Sequence, residues 1–376
     1  MKQRRAIVSV INDLVSDRRV HRTCTELHNL GFEVLLVGRR RRGSPEIDIR
    51  PYATHRMKLW FETGPLFYLS FNIRLLLLLL FSRKPALLYS NDLDTLLPNY
   101  FMSRLRRIPL VYDAHEYFTG VPELTGRPLV QKVWRTIERF TVPKIRHMVT
   151  VNQSIADLYG SDYSVKPVVV RNVPARPDHD SAYPSRDDLN LPTDRKILIF
   201  QGAGINVHRG AEEAVEAMRY LEGAVLLFVG DGDVVETLKA RVAQQRLHHK
   251  VYFIPRVPMQ TLHHYTRLAD GGLTLDKDTN INYRYSLPNK LFDYIHAGIP
   301  VLASNLPEIS RIIQHYNIGL ITPSHNPEEL ARAMQSLLFD GERNNQWREN
   351  LPKAAADLCW EKEREELLNL IKRVCP

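Results

Sequence analysis

The sequence is poor in cysteine: Cys24, Cys359 and Cys375 are the only three in 376 residues, and no two stand in a CxxC spacing. A disulfide framework and a cysteine-ligated zinc site are not indicated, and a reducing cytoplasm fits best. Long apolar runs are also scarce. The greasiest stretch, Leu66 to Phe81, is interrupted by Arg74 and falls short of the roughly 20 residues that span a bilayer, so it reads as a buried helix rather than a membrane span. The opening MKQRRAIVSVIND has basic residues followed by an apolar run too short for a signal-peptide core, which predicts no export. Internal repeats are missing, and low complexity is confined to the leucine run. Glycine is absent from the loop Asn12 to Arg19, where a dinucleotide-binding protein would carry GxGxxG, and this counts against nicotinamide or flavin as cofactor.

What is present is positive charge. A formal net charge of +9 calls for an anionic partner: nucleic acid, an acidic membrane surface or a phosphorylated substrate. Nucleic acid ranks last, because no binding module and no interleaved aromatic and basic motif is recognisable.

Short apolar strands alternate with amphipathic helices along the whole chain. The series begins with a strand Ala6 to Ile11, a helix through Val20, Cys24, Leu27 and Leu30 capped by Gly31, and a strand Glu33 to Val37. Further strands are predicted at Ala86 to Tyr89, Leu110 to Tyr112, Met148 to Val151 and Val168 to Val170. The segment Asn172 to Thr193 is rich in Pro, Asp, Ser and Arg and reads as an exposed connection. A second series follows, with strands at Ile197 to Phe200, Val225 to Val229, Val251 to Ile254, Gly272 to Leu275, Val301 to Ala303 and Leu320 to Ile321, and a helix Ala211 to Leu221. The fold class is α/β, with two Rossmann-like doubly wound domains. Boundaries are expected at 1–172 and 173–355, with 356–376 a terminal helix returning to the first domain.

The strongest constellation is SLPNKLFDYIHAGIPVLAS, from Ser286 to Ser304. Ser286, Leu287, Pro288 and Asn289 lead into a helix whose free amides can receive phosphate oxygens, and Lys290 adds a full charge there. Asp293 lies one turn beyond Asn289, where a carboxylate can accept hydrogen bonds from ribose hydroxyls. In FQGAGINVHRGAEEAVEAM, the loop holding Gly202 and Gly204 follows a strand, and Arg209 stands where the next helix opens. Two cationic helix starts in one domain suit a diphosphate.

These two stretches, with the turn Gly230, Asp231 and Gly232, resemble the donor half of retaining glycosyltransferases of the two-domain GT-B fold, the group 1 or family 4 type. The resemblance implies two domains facing a central cleft, the first binding the acceptor and the second a nucleoside diphosphate sugar, UDP- or GDP-linked. It implies that Arg209, with Lys290, contacts the donor phosphates and that Asp293 contacts ribose. It also implies that His115, in LVYDAHEYF, contacts the transferred sugar. The chain departs from the family at two places. The loop before Arg209 has only Ala203, Gly204, Ile205 and Asn206 where a second basic residue is usual, and Tyr285 replaces a common Glu. Sugar identity is accordingly left open.

Asp17, Asp92, Asp94 and Glu116 are candidate acceptor-binding residues, since each lies near the carboxyl end of a predicted strand. Asp-x-Asp occurs at Asp92, Asp231 and Asp276; three occurrences make the pattern cheap, and no metal is expected. The basic run Arg39 to Arg42 reads as a solvated loop. With Arg56, Lys58, Trp60 and the greasy segment, it could also seat a cytoplasmic protein peripherally on an anionic membrane. The expected reaction is metal-independent transfer of a sugar to a glycan, lipid-linked or other hydroxyl acceptor in cell-envelope or polysaccharide synthesis. Its rivals are a nucleotide-sugar epimerase of the same fold and a non-catalytic nucleotide-sugar-binding scaffold.

Overall fold

The structure, a computed structural model, describes residues 4–121, 124, 126–176 and 183–376. Its contacts divide the chain into two compact units, Met1–Asn172 with Glu363–Pro376, and Val173–Lys362.

The first unit is built on β1 (Arg5–Ser9), α1 (Arg18–Asn29), β2 (Glu33–Arg40), β3 (Ala53–Lys58), α2 (Gly64–Phe81), β4 (Leu87–Asn91), α3 (Leu93–Arg106), β5 (Leu110–Ala114), α4 (Pro128–Thr141), β6 (His147–Thr150), α5 (Gln153–Tyr163) and β7 (Val168–Val169). All seven strands run parallel in the order β3-β2-β1-β4-β5-β6-β7. The strand order reverses at β1, between β2 and β4. Ligands of such sheets gather beyond the strand ends at that point.

Several sequence expectations are corrected here. Strand β2 runs on through Gly38 and Arg39 to Arg40, so the basic stretch is only partly a loop. Arg39 is buried, its guanidinium 4.0 Å from the Phe67 ring centroid and donating to the Glu62 carbonyl. Strand β3 carries no clean alternation in ATHRMK and was not foreseen. The leucine-rich α2 is not a buried helix. Phe67, Phe71, Leu75 and Leu79 recur every fourth residue and are covered, while Leu66, Leu69, Ile73, Leu77 and Leu80 stay exposed. By length and composition α2 could cross a bilayer.

The second unit comprises β8 (Lys196–Gly202), α6 (Ala211–Ala217), β9 (Ala224–Gly230), α7 (Val235–Gln244), β10 (Val251–Ile254), α8 (Met259–Leu268), β11 (Gly271–Thr274), α9 (Ile281–Arg284), α10 (Asn289–Ala297), β12 (Val301–Ser304), α11 (Pro307–Tyr316), β13 (Gly319–Thr322), α12 (Pro327–Phe339) and α13 (Gly341–Asp357). Its six strands are also parallel, in the order β10-β9-β8-β11-β12-β13. Both faces are buried: Leu198, Phe200, Leu226 and Phe228 enter one apolar cluster, and Ile197, Ile199, Val225 and Leu227 the other. Continuous apolar strands are what such a sheet requires. Helix α6 stops at Ala217, short of the expected Leu221.

The connection around Asn172 to Thr193 is also less loose than its composition implies. Val173 and Leu191 join the second unit's core, and Arg186 donates to the Leu268 carbonyl and the Asp270 carboxylate. Part of the segment, 177–182, lies outside the described residues. Helix α14 (Trp360–Val374) closes the chain, and its Glu363 receives Arg171 of the first unit at 2.7 Å from both the backbone amide and Nε.

Candidate active site

In the second unit the sheet reverses direction between β8 and β11, and the candidate donor residues collect beyond the ends of those two strands. The loop after β8 is tied to the turn after β9. Asp231 donates its amide to the Gly202 carbonyl (3.2 Å) and accepts from Ile205 on its own carbonyl (2.9 Å), while Gly232 donates to the Asp231 carboxylate (2.8 Å). These two turns leave no room for side chains. A Cβ on Gly230 would stand 1.8 Å from the Gly202 carbonyl oxygen, and one on Gly232 would stand 2.2 Å from that of Ile205. Gly204 is exposed in the same loop.

Arg209 ends this loop, and Gly210 follows it with φ +79°, its Cα against Leu275, where an added Cβ would lie 2.3 Å from the carbonyl oxygen. That contact brings Arg209 to the end of β11. Its Nη1 lies 3.0 Å from Asp276 Oδ2, and Lys290 Nζ lies 3.9 Å from Asp276 Oδ1. The carboxylate is fully buried, so one anion holds two cations side by side. Aromatic faces complete the setting: Arg209 lies 4.3 Å from the Tyr283 ring centroid and Lys290 Nζ 4.2 Å from that of Phe200. Burial depresses the Lys290 pKa most, and Arg209 adds to it, against the opposing pull of Asp276. Arg209 Nε, Asp276 Oδ1, Thr274 Oγ1 and Ser286 Oγ are all buried without a hydrogen-bond partner among the described residues. Such groups are costly unless something polar joins them.

Ser286 and Leu287 are half-buried in the approach to α10, Pro288 is its N-cap, and Asn289 is exposed at its first position. Asp293, one turn on, accepts from Gln201 Nε2 at 3.1 Å, and Gln201 Oε1 receives the Thr266 hydroxyl at 2.7 Å. The sequence reading missed Gln201 as the residue orienting Asp293. It also dismissed Asp276 as one half of a cheap Asp-x-Asp; its place directly after the expected strand Gly272 to Leu275 was the available signal.

In the first unit a second group assembles beyond β1, β4 and β5. Arg19, at the start of α1, forms a buried ion pair with Asp113 (2.7 Å) and donates to the Val170 carbonyl (2.6 Å). Asp113 also receives the Tyr89 hydroxyl at 2.9 Å. His115 sits between two carboxylates, its Nδ1 3.2 Å from Asp92 Oδ2 and its Nε2 3.7 Å from Asp113 Oδ2. Burial opposes the imidazolium, but Asp92 and then Asp113 outweigh it and push the pKa up to about 9. Asp113 is itself held well below the carboxylate range: burial works against ionisation, and Arg19 and His115 overcome it.

Asp92 has φ +58°, a conformation few non-glycine residues adopt, and its carboxylate accepts the His115 amide at 3.0 Å. Asp94 is buried on α3 with its Oδ1 unpartnered, and burial, then the Asp92 charge, raises its pKa well above the usual range. Asp17 is engaged in the fold: it caps α1 through the Val20 amide (3.0 Å) and accepts from Asn12 Nδ2 (2.7 Å). Glu116 is exposed. The structure thus brings Asp92, Asp94 and His115 together. Among the described residues no group of three or more His, Cys, Asp or Glu is arranged to hold a metal ion.

Comparison with known proteins covers both units. Glycosyltransferase Family 4 matches residues 16–174, and Glycosyl transferases group 1 matches residues 184–354. A D-inositol 3-phosphate glycosyltransferase of Jonesia denitrificans is 23% identical over 196 residues, 49% of this chain and 45% of that protein. The chain spans less than half the length of the curated relatives it matches. Sucrose-phosphate synthase of Thermosynechococcus elongatus superposes with a TM-score of 0.76 at 17% identity, covering 99% of each chain. HepE of Anabaena, solved in complex with UDP, gives 0.76 at 12% identity, covering 98% of this chain and 100% of its own. At these identities the structures speak for fold alone. With one family matched to each parallel sheet and the same fold along its length, the chain belongs to the glycosyltransferases of group 1 and family 4 type, built on the GT-B fold.

Proposed function

We propose that the chain transfers a sugar from a nucleoside diphosphate donor to a hydroxyl acceptor, with retention at the anomeric carbon and without a metal. The observation that carries this reading is the pair of cations, Arg209 and Lys290, gathered on buried Asp276 beside orphaned polar atoms and the start of α10. A diphosphate would occupy that place, with the amides of α10 and Ser286 Oγ as further donors. Asp293, oriented by Gln201, is assigned to the ribose hydroxyls. HepE has also been solved with UDP-glucose, which supports a uridine donor.

In the transfer step the bond from the anomeric carbon to the β-phosphate oxygen breaks, and its electron pair stays on the diphosphate. The acceptor oxygen bonds to the same face of the carbon, and its proton passes to the departing phosphate oxygen. Arg209, Lys290 and the helix amides stabilise the charge that grows there. The protonated His115 is assigned to a hydroxyl of the transferred sugar. Asp92, Asp94 and Glu116 are assigned to the acceptor, a glycan or lipid-linked hydroxyl, while Asp17 keeps its capping role. An anionic membrane is proposed as the surface on which a lipid-linked acceptor is met. The exposed apolar side of α2, with Trp60 stacked on Arg74 at 4.9 Å, supports that assignment.

Calorimetric titration with UDP- and GDP-sugars is the direct test. Arg209→Ala and Lys290→Ala should each weaken donor binding about tenfold or more, the scale of one lost charge-assisted hydrogen bond. Free nucleoside diphosphate should appear only when an acceptor is supplied. Sugar conversion without acceptor would replace the reading with an epimerase, and near-normal kinetics in both variants would end it.

A further inference from the structure

The first unit has a second concentration of positive charge, far along the sheet from His115. It lies where β5 and β6 begin, whereas the candidate catalytic group lies where β4 and β5 end. A cavity of about 510 Å³ opens there, lined by Tyr100, Arg104, Arg107, Lys144, Arg146 and His147 among others, and among the described residues no carboxylate lines it. Cations converging without an anion repel one another and raise the local potential.

The plainest alternative is that these residues neutralise the carbonyl ends of α4 and of its neighbour α2. That role is already filled. Arg104 donates to the Lys144 carbonyl after α4, and Arg106 donates to the Leu79 and Ser82 carbonyls at the end of α2. Arg107 and Arg146 have no ion pair or side-chain hydrogen bond among the described residues, so capping does not account for them. Charge repulsion shows in their neighbour: burial, then Arg146 and Arg373, hold the His147 pKa below its ordinary value.

The rim is apolar. Phe101 and Leu105, one turn apart on α3, are exposed, as is Phe140 on α4. Tyr100 and Phe140 pack edge to face at 5.7 Å, and Lys144 Nζ lies 3.7 Å from the Phe140 ring centroid. A ligand fitting both parts has a compact, multiply charged anion joined to something greasy.

We propose that this pocket binds the phosphate group of an amphiphile, through Arg107 and Arg146, at a site separate from that of the donor. Arginine is suited to the task because its fork of donors matches phosphate oxygens in pairs. The proposal does not depend on the donor-site reading, since no residue is shared.

The test follows His147 by NMR while the protein is titrated with inorganic pyrophosphate. In parallel, flotation is measured with phosphatidylcholine vesicles with and without phosphatidic acid. The variant is Arg107→Asn with Arg146→Gln; asparagine tolerates the left-handed backbone of position 107, φ +51°. Its melting temperature and donor affinity serve as controls, and neither residue belongs to the proposed donor or acceptor machinery.

A rise in the His147 pKa with pyrophosphate, weakened about tenfold or more in the variant, supports the site with a soluble phosphate as one source. Flotation that needs phosphatidic acid and is lost in the variant supports it with a lipid headgroup as the source. No His147 shift and no dependence on phosphatidic acid would overturn the proposal. So would binding that the variant leaves unchanged.

Discussion

At the scale of single residues, the site is governed by where charge is buried. Lys290 is held below the titration range of an ordinary lysine, first by burial and then by Arg209. A bound diphosphate would favour its charged form, so donor affinity should fall as pH rises through that depressed pKa; calorimetry across an alkaline series checks this. His115 behaves in the opposite sense. Its folded pKa of about 9 stands above the ordinary 6.5, so its contribution to stability is complete below the latter value and is lost as pH rises through about 9. Asp92→Asn removes the larger attractive charge while keeping a side chain that accepts the positive φ, and should lower the His115 pKa, read from its imidazole carbon-bound proton resonances. An unmoved His115 pKa in that variant would refute the assignment of its charge to Asp92.

At the scale of elements, the close approach of Gly210 to Leu275 sets the distance between Arg209 and Asp276. Gly210→Ala must adopt a left-handed backbone at a cost of about 1–2 kcal/mol and must also move the strand end away. The expected result is a lower melting temperature with donor binding weakened more than Arg209→Lys weakens it. A variant that keeps both at the native level would show that the loop has another way to seat Arg209.

Elements also show what the sequence could and could not reveal. Strands β8 and β9 were legible because a strand covered on both faces must be apolar throughout. The turn after β8 and the start of α10 were legible because glycine and proline stand at positions where the backbone leaves a strand or enters a helix. Strand β3 was not, because an edge strand of mostly exposed residues has no such demand placed on it. Asp276 escaped for a different reason. What makes it important is the convergence of Arg209 and Lys290 from distant parts of the chain, and spacing along a sequence does not encode convergence.

At the scale of the whole molecule, the first unit is discontinuous: its last piece, Glu363–Pro376, is added after the entire second unit. Glu363 is the anchor, buried and accepting from the Arg171 amide and guanidinium. Glu363→Gln keeps the size but loses the charge. It should destabilise the first unit by about 1.5–3 kcal/mol, the range for a hydrogen bond to a charged group. Denaturant melts followed by first-unit tryptophans would register this, and donor binding in the second unit should be unchanged. Unaltered melts would mean that α14 is held by its apolar contacts alone.

The same return of the chain sets an order of events during synthesis. A ribosome builds from the amino terminus, so the sheet of the first unit can form early but must wait for its closing helix until the second unit has been made. Until then the surfaces around Arg171, and around Glu26, which Arg364 approaches at 3.9 Å, stand uncovered. Nascent chains halted before Glu363 should therefore be more readily cut by protease in the first half than released full-length protein, and a synthetic peptide of residues 360–376 supplied in trans should restore resistance.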